Sequence, residues 1–285
     1  MKIPFTKMHG IGNDYIYVNC MEKELDDPNR ISFVMSPRHF SVGADGLVMI
    51  CSSQIADAKM RMFNADGSEG KMCGNAIRCV GKYLYDNGIV CKENLSIETL
   101  SGIKYLNLNV ENGKVKSVEV DMGKAILTPA DIPVIFDGER MIDQPVEVNG
   151  GVYRMTAVSM GNPHAVTFVD DVDSLDLEKI GPNFENLAIF PDRVNTEFVR
   201  VIDSQTLQMR VWERGSGETY ACGTGACATV VAAVLNGICK MDTPITVRLR
   251  GGDLKIVCES DMRVLMTGPA QKSYEGVFDY EDSDQ

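Results

Sequence analysis

Apolar residues Ile77, Val80 and Leu84 recur at helical spacing in the stretch CGNAIRCVGKYLYDNG, which closes on Asn87-Gly88, a helix C-terminal signal. A second stretch, CGTGACATVVAAVLNG, is apolar with hardly a charge from Gly223 to Leu235 and closes on Asn236-Gly237. From residue 73 to 222, and from 88 to 237, the interval is 149 in both cases. Beyond each predicted helix come a strand, a glycine turn and another strand: LSIETLSGIKYLNL around Gly102, and ITVRLRGGDLKIV around Gly251 and Gly252. The chain therefore carries an internal duplication, and a repeat this long is a domain rather than a solenoid unit.

Elsewhere the pattern is of strands punctuated by turns. Residues 104–110 and 115–122 flank Glu111-Asn112-Gly113-Lys114, and residues 145–148 and 152–158 flank Asn149-Gly150. Such hairpins predict mostly antiparallel pairing. The second helix, nearly free of charge, has to be covered on almost every side, which predicts strands wrapped around it. The expected fold class is α+β, two similar domains, each a mostly antiparallel sheet around one central helix. KAILTPADIP breaks the pattern and puts the junction near residues 123–133.

The two helix starts carry the candidate chemistry. Each begins with a Cys-Gly pair, Cys73-Gly74 and Cys222-Gly223, behind a glycine-containing loop. A cysteine in the first helical turn meets unpaired N–H groups and the positive dipole end, which predicts a stabilised thiolate. Gly74-Asn75 and Gly223-Thr224 add backbone donors suited to a carboxylate. If the repeats face each other across a cleft, a bound carboxylate leaves the adjacent carbon between two sulfurs. That is the requirement for inverting a stereocentre by proton exchange, one base and one acid on opposite faces. Free cysteines are also commonly plain core residues, the reading given to Cys20, Cys51, Cys79, Cys91, Cys227, Cys239 and Cys258. Asn13, Asn64, Asn162, His164, Asn195, Glu213 and Arg214 lie between predicted strands or beside these loops; taken singly, such a residue is more often a turn residue or a surface charge, and a lone histidine a hydrogen-bonded loop residue.

Composition narrows the classes. The 285 residues are 44% apolar, enough for a large core or two ordinary domains, and the formal charge is −12 with no basic run, which argues against nucleic acid or an anionic membrane as partner. No leader-like apolar stretch opens the chain, and the longest apolar run, about residues 226–235, is too short to span a bilayer, so the expected location is cytoplasmic. With nine cysteines, none spaced C-x2-C, and three histidines, neither a disulfide framework nor a metal site is expected. Gly223, Gly225 and Ala228 satisfy G-x-G-x-x-A with Asp242 beyond, but the polar loop ERGSGETYA precedes them where a dinucleotide-binding oxidoreductase needs a buried strand. A non-catalytic amino-acid-binding module would have no need of both cysteines.

KMHGIGND, FNADGS with Cys-Gly-Asn, SMGNPH, RVN, ERGSGET with ACGTGA, and MTGPA occur in an order that resembles the diaminopimelate epimerases, from Lys7 to Ala270. The resemblance implies an isomerase free of PLP and any other cofactor. It would interconvert LL- and meso-2,6-diaminopimelate for lysine and cell-wall precursor synthesis, the small-molecule substrate being its partner, commonly as a homodimer. A racemase of another amino acid with the same two thiols is the nearest alternative. The resemblance also implies that the tail returns to the first domain, giving 1–126 plus 271–285 and 127–270. Carried over, Cys222 is the base toward the LL isomer and Cys73 the acid. Gly74, Asn75, Gly223 and Thr224 form the carboxylate cradle, and Asn13, Asn64, Asn162, Asn195, Glu213 and Arg214 hold the substrate. His164 and Glu213 match positions that tune the cysteines. One departure is Gly46, where some members carry glutamine.

Overall fold

The computed structural model describes residues 1–281; the tail 282–285, included in the first expected domain, lies outside the described residues. The chain forms two compact units, Met1–Val120 with the segment from Gly268 onward, and Asp121–Thr267.

In the first unit the elements are β1 (Lys2–Gly10), β2 (Asn13–Cys20), α1 (Pro28–Met35), β3 (Gly46–Cys51), β4 (Ala58–Asn64), β5 (Glu69–Gly70), α2 (Gly74–Asp86), β6 (Asn94–Thr99), β7 (Gly102–Glu111) and β8 (Lys114–Lys124), whose last residues enter the second unit. The second continues with β9 (Gln144–Val148), β10 (Gly151–Ser159), β11 (Pro163–Phe168), α3 (Leu177–Glu185), β12 (Asn195–Asp203), β13 (Thr206–Glu213), β14 (Gly217–Glu218), α4 (Gly223–Leu235), β15 (Ile245–Leu249), β16 (Gly252–Cys258) and β17 (Arg263–Pro269). A last strand, β18 (Gln271–Asp279), belongs to the first unit and pairs antiparallel with β1. The duplication runs deeper than its helices: displaced by the same interval, β1 coincides with β10 and α2 with α4, and α1 falls on α3.

Most strand pairs are antiparallel, as the hairpins predict, but each unit also has two parallel pairs at equivalent places. These are β2–β3 and β4–β6 in the first, β11–β12 and β13–β15 in the second. Helix α1 lies in the connection of one parallel pair and α3 in its counterpart, as parallel neighbours need a crossover. Neither short helix is expected from the sequence pattern. In the second unit β9 pairs with the outer side of β10; its counterpart in the first unit is β18, which arrives from the far end of the chain.

Helix α4 is buried along nearly all its length against β10, β11, β12, β13, β15 and β16, as its uncharged sequence requires. Helix α2 buries Ile77, Val80 and Leu84, the three positions of its apolar stripe. Full burial of each is worth about 1.5–3 kcal/mol. Gly81 permits the close approach of α2 to β7: a Cβ there would sit 2.9 Å from Leu106. Among the described residues no helix is long and apolar enough to cross a membrane.

Candidate active site

Cys73 and Cys222 are the N-caps of α2 and α4, both with extended backbone, and each sulfur accepts a helix N–H, from Ala76 at 3.5 Å and from Gly225 at 3.3 Å. The Cys-Gly signal and the helix it heads thus occur twice with the same geometry.

In the first unit, Cys73 is half-buried and donates its thiol hydrogen to Asn13 Oδ1 at 3.3 Å. Asn13 opens β2, and its Nδ2 donates to Asp45 Oδ2 at 2.8 Å. Asp45 is also bound by Arg38 at 2.7 Å, and Arg38 grips both oxygens of Asp14, which pairs with Lys7. Gly74 and Asn75 follow as the first buried residues of α2. Asn64 ends β4, exposed, its Nδ2 donating to Ser68 Oγ at 3.0 Å in the turn before β5. Gly46 lies opposite Asn64 in the β3–β4 register, and a Cβ on it would fall 2.0 Å from the Phe63 carbonyl oxygen, so this backbone has no room there for a glutamine side chain.

The second unit assembles more of the expected residues. His164 and Glu197 are fully buried, with Nδ1 2.7 Å from Glu197 Oε1 and Nε2 3.1 Å from Asn162 Oδ1. Asn162 Nδ2 donates to Thr224 Oγ1 at 3.3 Å, and that hydroxyl lies 3.5 Å from Cys222 Sγ. Glu213 ends β13 within hydrogen-bonding reach of Cys222 and accepts a short hydrogen bond from Thr219. The parallel register places His164 beside Asn195, whose Oδ1 accepts the Arg214 backbone N–H at 2.9 Å, while the Arg214 guanidinium donates to the Asp192 carbonyl oxygen at 2.8 Å. Gly223 is the first residue of α4. His164 and Asn195 are strand residues and Asn13 opens β2, where positions between strands are expected; Asn162 lies in the bend between β10 and β11.

The electrostatics correct one expectation. Burial pushes the Cys222 thiol well up, and the Glu213 and Glu197 carboxylates push it further; the Thr224 hydroxyl and Gly225 N–H only partly oppose them. Two neighbouring anions and desolvation outweigh the helix dipole at a fully enclosed sulfur, so Cys222 rests as a thiol rather than the predicted thiolate. Burial also raises Glu213, against hydrogen bonds from Thr219 and Cys222. Two high-affinity groups thus sit next to each other, suited to passing one proton between them.

Sequence reasoning missed Glu197 and Asp45. Glu197 had a signal: it stands two residues beyond Asn195 in NTEFV, on the same face of the strand. Asp45, in GADGL, had none beyond its charge. Among the described residues no group of three or more His, Cys, Asp or Glu side chains could hold a metal.

A family profile described as Diaminopimelate epimerase matches the chain over residues 5–128 and again over 156–273. A diaminopimelate epimerase of Acetivibrio thermocellus is 58% identical over 276 residues, covering 96% of this chain and 98% of that protein. Another, of Agathobacter rectalis, is 55% identical over 284 residues, covering 96% and 99%. Among solved structures, a probable proline racemase of Agrobacterium radiobacter K84 has a TM-score of 0.74 at 14% identity, covering 99% of this chain and 94% of its own, a likeness of fold.

Proposed function

The chain belongs to the diaminopimelate epimerase family, and from that premise we propose that it interconverts LL- and meso-2,6-diaminopimelate by a two-thiol proton transfer that needs no cofactor. The observation that carries the reading is the twin cysteine N-cap, one sulfur at the head of α2 and its equivalent at the head of α4.

In the direction from the LL isomer, Cys222 passes its proton to Glu213 and takes the α-hydrogen as thiolate. The raised affinity of the Glu213 carboxyl for a proton supports that role. Cys73, a thiol bonded to Asn13, delivers a proton to the opposite face. The N–H groups around Gly74, Asn75, Gly223 and Thr224 take the reacting carboxylate, offsetting the charge that develops on it as the carbanion forms. Asn13, Asn64, Asn162, Asn195, Glu213 and Arg214 hold the remaining amino and carboxyl groups, with donors and acceptors of both kinds. His164, braced by Glu197, acts on Cys222 through Asn162 and Thr224.

The remaining features rest on the family resemblance: a cytoplasmic homodimer, with domains 1–126 plus 271–285 and 127–270. The pairing of β18 with β1 supports the assignment of the tail to the first domain.

The test is solvent deuterium incorporation at the α-carbon of LL-diaminopimelate without added cofactor. The wild type should exchange and isomerise, and Cys73→Ser and Cys222→Ser should each lose nearly all activity, an alcohol being a far weaker acid than a thiol. Full isomerisation by either variant would remove that cysteine from the reaction. Exchange on a different amino acid alone would keep the mechanism and move the substrate.

A further inference from the structure

The duplication lets each half serve as the control for the other. Asn13 and Asn162 occupy equivalent positions, yet their amides are tied in opposite senses. Asn162 donates its NH2 to Thr224, whose hydroxyl lies beside the Cys222 sulfur, so a donor chain runs toward that sulfur, while its carbonyl oxygen lies 3.1 Å from His164 Nε2. Asn13 gives its NH2 to Asp45 and turns its carbonyl oxygen to the Cys73 sulfur, so that chain runs away from it. The difference traces to residues present in one repeat only. The counterparts of Asp45, Asp14, Arg38 and Lys7 are Val194, Pro163, Leu187 and Thr156, none of them charged.

A primary amide has one donor end and one acceptor end, whereas a carboxylate only accepts. Asp45 therefore decides which end of Asn13 faces the cysteine. Its own placement is over-determined: its N–H bonds the Asp14 carbonyl at 2.8 Å, its Oδ2 takes the Asp14 N–H at 3.1 Å as well as Asn13, and its Oδ1 takes Arg38. We infer that Asp45 is a positioning residue that fixes the Asn13 amide with its carbonyl toward Cys73 and thereby holds Cys73 as the thiol. An acceptor at 3.3 Å stabilises S–H and repels S⁻. The first unit thus keeps its sulfur loaded with the proton that the proposed reaction from the LL isomer requires of it. That last consequence rests on the epimerase reading; the hydrogen-bond lock does not.

Other titratable and charged groups lie near the lock on β1, β2 and α2, and the Ala76 N–H also donates to the Cys73 sulfur at 3.5 Å. Tyr17 on β2 and Cys79 on α2 sense Cys73, and burial raises both, so they are neutral near neutral pH. Arg78 on α2 is tied to the Pro269 and Gly74 carbonyls, and His9 on β1 accepts the Gly12 N–H. Around Asp45, burial and the neighbouring Asp14 raise its carboxyl; burial alone would raise Asp14 too, but Arg38 and Lys7 outweigh that and lower it. Of the pair, Asp45 is the one that acid neutralises first.

The experiment is alkylation of Cys73 by iodoacetamide in substrate-free protein from about pH 6 to 10, read peptide by peptide by mass spectrometry. Wild type, Asp45→Ala and the bulk-preserving Asp45→Leu are compared. Without the carboxylate, Asn13 turns its NH2 to the sulfur. The Cys73 midpoint then moves to lower pH, and its rate near pH 7.5 rises about tenfold, the worth of one hydrogen bond to a charged form. Cys222 and the exposed Cys91 keep their wild-type profiles. An unchanged Cys73 midpoint in a folded variant overturns the inference, as does a parallel shift of all three cysteines, which marks general loosening. Turnover is not needed, so a wild type inert toward diaminopimelate would sink the epimerase reading and leave this result readable.

Discussion

Gly225→Ala sets two effects of opposite sign against each other. Alanine within a helix is favoured over glycine by up to about 1 kcal/mol. Its methyl, however, would sit 2.6 Å from Glu197 Oε1, where ordinary contact begins near 3.4 Å, so the carboxylate must retreat by about 0.8 Å. A retreat along the bond to His164 would stretch its 2.7 Å to about 3.5 Å, beyond a hydrogen bond. Overpacking costs about 1–3 kcal/mol and the stretched buried hydrogen bond about 0.5–1.5 kcal/mol, so the steric side wins with a net loss of about 2–3 kcal/mol. In a unit of this size that is roughly 4–12 °C in Tm. The first repeat has already made the compatible choice: the counterparts of Gly225 and Glu197 are Ala76 and Val48. Glu197→Val should therefore destabilise on its own by stranding His164, while the double variant recovers at least about 1 kcal/mol against the sum of the two single losses. Denaturant and thermal unfolding of the four proteins would measure this. A Gly225→Ala protein as stable as its parent, or strictly additive losses, would refute the reasoning.

Further outcomes can be checked directly. Gly46→Gln should fail to fold or lose several kcal/mol in denaturant unfolding, since its Cβ would meet a main-chain oxygen that cannot swing away. Burial holds the thiols of Cys79 and Cys258 up at about 11, above the ordinary value of a free thiol. A raised thiol contributes stability that is present below the unfolded value and lost as pH rises through the folded one. The unfolding free energy should thus decline between about pH 9 and 11, and Cys258→Ala should flatten that decline. In alkylation without substrate, exposed Cys91 should react as an ordinary surface thiol, and added diaminopimelate should slow the modification of Cys73 but not of Cys91. Equal protection of both would argue against substrate at the α2 head.

The two central helices were legible to the residue because both ends of each are written in local chemistry, Cys-Gly at the start and Asn-Gly at the stop. The hairpins were legible for the same reason. Helices α1 and α3 were not: they are eight and nine residues long, and α3 contains Pro182, so neither presents a sustained apolar stripe. The parallel pairs were hidden because their partners are joined through helices, α1 and α3 in one kind and α2 and α4 in the other, rather than by a turn. At the site, asparagines near glycine loops could be picked out by type, but the sense of the Asn13 amide depends on Asp45, and the His164 beside Asn162 is braced by Glu197. Those carboxylates reach their places by tertiary folding, through Asp14 in one unit and the β11–β12 register in the other.

The strand β18 sets the order in which the molecule can be made. A ribosome synthesising this chain releases every strand of the second unit before Gln271–Asp279 emerges, while β1 waits with its partner edge open. The second unit can close as it leaves the exit tunnel, but the first, though begun earlier, finishes last. During that interval the β1 edge is a template for any passing strand, which makes the nascent first half the stage at which aggregation or chaperone capture would act.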